Sequence, residues 1–385
     1  MKNLAVICAC AVALLLTGCL SSNVEPPAPL VKFTPSVKVD EVWSRSIGSS
    51  DAILHLGVVA ASDGSNVYTA SNNGDLYAFR LKNGDQLWKV STDIPFSAGP
   101  GVGANMVVAA ATDGTVLAVD AASGKQLWRV NVAAEVLASP AVSDSAVVLH
   151  TTDGRVIALA PDSGQKLWNV SREPPKLSLR GSSAPLIVGN RVYVGLNSGK
   201  LLALNLADGN QRWEATVATP SGSDELSRLV DLDGLVSYAA GNLFAVTYQG
   251  KVAEISPDTG ELLWSREMSS YTGVSADSQY AYVSDVHGGV WALNKDTGVP
   301  VWTQPALRAR DVTLPVPYNG TVVVGDLEGY LHFMSAADGS FVARTRLDSD
   351  AIQAPPIVAG GLLVALSTGG ELAAYRIVPQ ATQKQ

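Results

Sequence analysis

The residues of this 385-residue sequence that could do chemistry are few and scattered. Its four histidines, His55, His150, His287 and His332, stand too far apart for any local metal-ligand spacing. His287 and His332 fall beside short glycine turns, where solvated imidazoles are expected. Of three cysteines, Cys8 and Cys10 lie in an apolar N-terminal run and only Cys19 follows it. There is no Gly-x-Ser-x-Gly elbow and no glycine loop that would cradle a phosphate. The closest carboxylates that stand out are Asp231 and Asp233, two apart in "DLD", and a separate string, "PPKLSLRGSSAP" at 174–185, brings Leu177, Leu179 and Arg180 together. An arginine among leucines plus an acid pair is the usual composition of an interface hot spot. The expectation is a protein with no catalytic residue, no metal and no cofactor, working by contact.

The ends of the chain say where such contact takes place. Lys2, the apolar stretch "NLAVICACAVALLL" and the small residues Thr17 and Gly18 before Cys19 have the build of a secretory signal. Leu16 to Cys19 resembles the bacterial lipobox, which implies that residues 1–18 are removed and that Cys19 carries lipid as the first mature residue. Cys8 and Cys10 would leave with the signal, so no disulfide or thiolate metal site could form. Several acyl chains on Cys19 would anchor the protein without a transmembrane helix. No later segment has the roughly 18 uninterrupted apolar residues a helical span needs. Without Lys2 the bases number 26 against 35 acids, which argues against a nucleic-acid partner. Residues 19–38, with the lipidated cysteine and four prolines, read as a flexible tether reaching on the order of 60 Å.

The rest of the chain is periodic. "NGDQLW", "SGKQLW", "SGQKLW", "DGNQRW", "TGELLW" and "TGVPVW" end at Trp88, Trp128, Trp168, Trp213, Trp264 and Trp302, and "DGSFVA" offers Phe341 for the same slot. Upstream of each lies a hairpin such as "TDGTVLAV", with turn glycines at Gly74, Gly114, Gly154, Gly199, Gly250, Gly288, Gly329 and Gly370. Asn-Gly and Asp-Gly between short β-rich runs are strong hairpin signals, because the turn needs a positive φ. Each unit of about 40 residues reads as four antiparallel strands, A to D, and eight such units make an all-β, eight-bladed β-propeller over 39–378 with a short tail at 379–385. The last unit has no aromatic strand D. The missing aromatic is Trp43 in "VDEVWSR", ahead of the first unit, so the N-terminal strand is expected to close the ring and remove the free sheet edges.

Propellers carry function in their loops, and irregular spacing locates them. Trp168 to Pro185 takes 17 residues where Trp88 to Pro100 and Trp128 to Pro140 take 12, and the 51 residues from Trp213 to Trp264 hold a second insertion, "TPSGSDELSRLVDLDGL". Both fall between strand D of one blade and strand A of the next, hence on one face of the disc. Leu177, Leu179, Asp231 and Asp233 could cover a blade edge and make turn bonds, or form a partner surface. Arg180 could brace the two loops through Asp231 or Asp233, or face the partner.

The glycine-to-tryptophan spacing resembles the docking repeat of quinoprotein (PQQ-like) propellers, which implies that Trp43, Trp88, Trp128, Trp168, Trp213, Trp264, Trp302 and Phe341 wedge against neighbouring blades. Quinoprotein dehydrogenases pair adjacent cysteines and hold calcium beside the quinone, and the mature sequence has no cysteine pair. The lipobox, the proline-bearing tether, the closing strand, eight repeats, "LSLRG" with "SAP" following, "DLD", and "YNGTVVVGDLEGYLHF" at 318–333 together resemble the BamB family of outer-membrane β-barrel assembly lipoproteins. That resemblance covers essentially the whole chain. It implies a non-enzymatic scaffold at the inner leaflet of the outer membrane, facing the periplasm. It further implies that Leu177, Leu179, Arg180, Asp231 and Asp233 contact the POTRA domains of the central barrel-inserting protein. Unfolded outer-membrane proteins are a further expected partner, through strand addition at blade edges. The alternative is a periplasmic quinoprotein-like dehydrogenase or ligand-binding propeller.

Overall fold

The computed structural model describes residues 25–48, 57–179 and 181–379. Cys19, His55, Arg180 and the tail beyond Pro379 lie outside them. The described chain folds into eight antiparallel blades. Blades 1 to 7 take their strands in sequence order, as in blade 4 with Leu186–Val188, Arg191–Leu196, Lys200–Asn205 and Gln211–Thr216. Blade 8 is assembled from both ends: Ile357–Ala359, Leu362–Leu366 and Glu371–Pro379, then the N-terminal strand Val37–Ser46 on the outside. Trp43 pairs with Ala374 there, so the expected closure is the observed one. Blade 2 has one addition, Gly57–Val58, paired parallel to its strand A.

The burial pattern follows from stacking sheets face to face around an axis. Strands B and C are covered on both faces, so Val147–His150 is buried throughout and Arg155–Leu159 nearly so. The outer strands alternate: in Gln126–Asn131 only Trp128 is buried. A register shift in every strand C to strand D pairing lies just before this position, at Gln126/Trp128 in blade 2 and Ala203/Leu204 in blade 4. Such a bulge re-aims the side chain that follows it. Here it turns the indole into the next blade.

Each indole then lies on the C–D turn glycine of that neighbour. A Cβ built on Gly164 would stand 2.7 Å from the Trp128 ring, and Gly164 has φ of +68°, so both space and backbone demand glycine. The Trp128 Nε1–H donates to the Pro161 carbonyl at 2.7 Å, and Trp43, Trp88, Trp168, Trp213, Trp264 and Trp302 make the same kind of bond to Leu81, Ala121, Leu206, Pro257, Lys295 and Ala336. Seven blade junctions are fastened this way.

Three sequence expectations need correction. Phe341 is not in the docking slot: across the bulge of blade 7, Ala343 pairs with Phe333 as Trp302 pairs with Ala292, and Phe341 falls before the bulge, opposite Met334. His332 is not solvated. It lies on strand C, covered on both sides, is fully buried, and its Nε2 is 2.8 Å from Asp326 Oδ2. Residues 25–36 are not a free tether, since they lie along blade 7, with the Ser36 N–H donating to the Val342 carbonyl at 2.9 Å. His287 is exposed, as expected for a turn.

Candidate functional site

The two insertions, at 172–185 and 217–236, meet on the face formed by the D–A connections. Leu232 drives the meeting: fully buried, it packs over Gly195 of blade 4, where a Cβ would stand 2.3 Å from it, and its N–H donates to the Leu196 carbonyl at 3.2 Å. Burying Leu232 carries both flanking acids inward. Asp231 is 1% exposed, and its Oδ2 accepts the Leu179 N–H at 3.3 Å, so one carboxylate fixes the backbone of the leucine-bearing loop. Asp233 packs against Gly181, whose Cβ would meet its Oδ2 at 2.9 Å. Ser183 Oγ donates to the Gly234 carbonyl at 3.2 Å and completes the seam.

The structure therefore joins Leu179, Asp231 and Asp233 in one cluster, with Leu177 at its exposed margin. Arg180 lies outside the described residues. Asp231, expected as a partner contact, is too buried to be one and acts as a brace. Sequence reasoning missed the exposed apolar side chains Leu226, 63% exposed in the second insertion, Leu235 and Tyr271. For Leu226 the available signal was a lone leucine within the polar run "SGSDELSR" at 221–228. Leu235 and Tyr271 line the mouth of the central channel, an opening of about 290 Å³ that Asp233 and Asp311 also line. Tyr271 donates its hydroxyl to Asp311 at 2.6 Å.

The electrostatics of the cluster are unusual. Oδ1 of Asp231 and both carboxylate oxygens of Asp233 are buried with no hydrogen-bond partner among the described residues. Burial pushes the Asp231 carboxyl up to about 6 against the pull of the Leu179 N–H, and burial together with the neighbouring Asp231 charge pushes Asp233 up to about 7. Unsatisfied, desolvated acceptors are costly and call for a donor from elsewhere. What this arrangement can do is hold a cationic or donor group that enters beside the leucines. Among the described residues there is no cluster of His, Cys, Asp or Glu that could hold a metal.

A pH signature follows. An aspartate in the unfolded chain titrates near 3.9, roughly, while folded Asp233 titrates near 7, so between these values the folded state binds the extra proton and stability falls as pH rises. Asp233→Asn should therefore be more stable than the parent, by an amount that grows between about pH 4 and pH 7, reaching on the order of 4 kcal/mol, and levels off above about pH 8. Urea melts of both proteins across that range test it; parallel curves would contradict it.

Comparison with known proteins places this geometry among relatives. A family model described as outer membrane protein assembly factor BamB matches residues 38–113, 72–304 and 306–378. The BamB of Pseudomonas aeruginosa is 50% identical over 369 residues, covering 95% of this chain and 97% of its own, and that of Escherichia coli is 36% identical with 92% and 94% covered. Among solved structures, BamB from Moraxella catarrhalis superposes with a TM-score of 0.80 at 25% identity, covering 88% of this chain and all of that one. A quinohemoprotein alcohol dehydrogenase from Comamonas testosteroni reaches a TM-score of 0.70 at 12% identity, over 90% of this chain and 77% of its own, a likeness of fold alone.

Proposed function

Since the chain belongs to the family of outer membrane protein assembly factor BamB, we propose that it is a lipid-anchored scaffold of the β-barrel assembly machinery whose insertion face binds the POTRA domains of the central barrel-inserting protein. As an assembly factor it works by binding and positioning, with no reaction of its own. The anchor is an acylated Cys19 in the inner leaflet of the outer membrane, and the propeller faces the periplasm. The observation that carries the partner reading is the meeting of two insertions around desolvated, unpaired carboxylates, in loops that also expose Leu177 and Leu226. Apolar anchors around a buried polar centre are how interfaces concentrate binding energy. In this reading Leu177, Leu179 and Arg180 touch the partner, Asp233 receives a donor, and Asp231 positions Leu179.

Capture of the barrel-inserting protein by the full chain tests it. Arg180→Glu and Leu177→Asp should each weaken capture by at least about tenfold, the scale of a hot-spot residue. Leu87→Asp, on the outer edge of blade 1, should leave it unchanged. Undiminished capture by both insertion variants would sink the assignment.

A further inference from the structure

Seven blade junctions carry an indole on a glycine; the junction from blade 7 to blade 8 does not. Its slot holds Ala343, and no C–D turn glycine stands opposite, because strands C and D of blade 8 come from the two ends of the chain. Along the blade 7 side of this junction runs the N-terminal segment, which continues into Val37–Ser46, the outer strand of blade 8. Phe33 stacks on Phe341 with ring centroids 5.5 Å apart, and the Arg344 guanidinium lies 5.1 and 5.4 Å from the two rings while its Nη1 donates to the Val31 carbonyl at 3.0 Å. Farther upstream, the Ala28 N–H donates to the Arg308 carbonyl at 2.9 Å, and Arg308 forks onto the Glu25 carboxylate at 2.6 and 2.9 Å. Arg310 Nη1 donates to the Ala28 carbonyl at 2.8 Å. Arg310 is itself 2% exposed and is held by Asp326 and Glu328, so Ala28 docks on a fixed group.

These contacts have a direction. Val342 lies at the C–D turn end of its strand, whereas Arg308 and Arg310 belong to the D–A connection from blade 6 to blade 7, on the face that carries both insertions. We propose that residues 25–36 are a clasp: they brace the junction that lacks an indole and, by the same contacts, fix the point where the preceding chain leaves the disc, on the insertion face. Together with the lipid-anchor reading above, on which this consequence rests, the clasp shortens the leash. From Glu25 to Cys19 the chain can reach at most about 20 Å, against the order of 60 Å open to a free tether. An acyl group on Cys19 would then hold the insertion face toward the bilayer.

Two measurements on the full-length protein test this. In hydrogen exchange, the Ala28 and Ser36 amides should be protected in the parent and should exchange about tenfold faster or more in Phe33→Ala and in Arg308→Glu, with the strands of blades 2 to 5, remote from the junction, unaffected. Equal exchange in parent and variants would overturn the clasp. For the lipidated protein on phospholipid vesicles, energy transfer to a headgroup acceptor should be stronger from a dye at Lys176→Cys, on the insertion face, than from one at Asn319→Cys, on the opposite face. Phe33→Ala should erase the difference. Anchoring with no preference between faces would overturn the fixed exit alone; failure to associate with vesicles would overturn it together with the lipid-anchor reading.

Discussion

Trp128→Ala is expected to lower the stability of the propeller by about 3 to 5 kcal/mol, the cost of deleting a large buried aromatic and leaving its cavity. Trp128 is 6% exposed and fills the space between blades 2 and 3, so its loss removes ring contact with Gly164 and also leaves the Pro161 carbonyl without its donor. Neighbouring backbone cannot collapse inward, because the bulge that aims the indole is tied into the C–D ladder. The chain contains its own control. Phe341, half-buried and outside the slot, should cost less than half as much when changed to alanine. Thermal or urea melts of the two variants decide it, and an unchanged melt for Trp128→Ala would contradict the docking role.

A loss of about 3 to 5 kcal/mol is likewise expected for Arg310→Met, since removing one partner of a buried ion pair strands the other. Asp326 is fully buried; it accepts from Arg310 Nε at 2.7 Å and faces His332 Nε2 at 2.8 Å. Burial alone would raise its carboxyl, yet the His332 hydrogen bond and Arg310 hold it below the usual carboxylate range. Burial keeps His332 itself neutral, and the network assigns its proton: Nδ1 accepts from Arg344 Nε at 3.1 Å, so Nε2 carries the hydrogen that goes to Asp326. With Arg310 gone, the charge loses its cation and keeps that imidazole and the Glu328 and Tyr330 N–H groups, at 3.0 and 2.9 Å, as its donors. Adding Asp326→Asn to Arg310→Met should recover more than half the loss, because a neutral amide costs less to bury than an unpaired carboxylate. No recovery in the double variant would mean that packing, and not charge, sets the cost.

How much of this was legible depends on how local each signal is. Turn glycines and the tryptophan four residues after them are local, so the blades, their strand order and the ring closure could be read directly. Phe341 misled because its aromaticity outweighed its spacing: it follows Gly339 by two residues, not four. His332 misled because nearness to a turn suggests solvent, while a blade covered on both faces buries even the third residue of strand C. The burial of Asp231 was invisible because it is imposed by Leu232 finding its place over Gly195. The docking of residues 25–36 was invisible for a related reason. A proline-bearing segment shows no strand meter, and the arginines that hold it lie some 280 residues away.

The blade made from both termini also sets a condition on biogenesis. Val37–Ser46 is among the first parts of the fold to be made and its partner, Glu371–Pro379, is the last, so the longest-range pairing in the molecule is also the one that must wait for complete synthesis. Non-local pairing of this kind is slow, and until it forms the first strand offers an open edge to any passing extended chain. A cell that makes this protein where unfolded β-barrel precursors are abundant must keep that edge occupied or unreachable. Shortening the chain by its final strand would not trim the structure; it would leave the circle unable to shut.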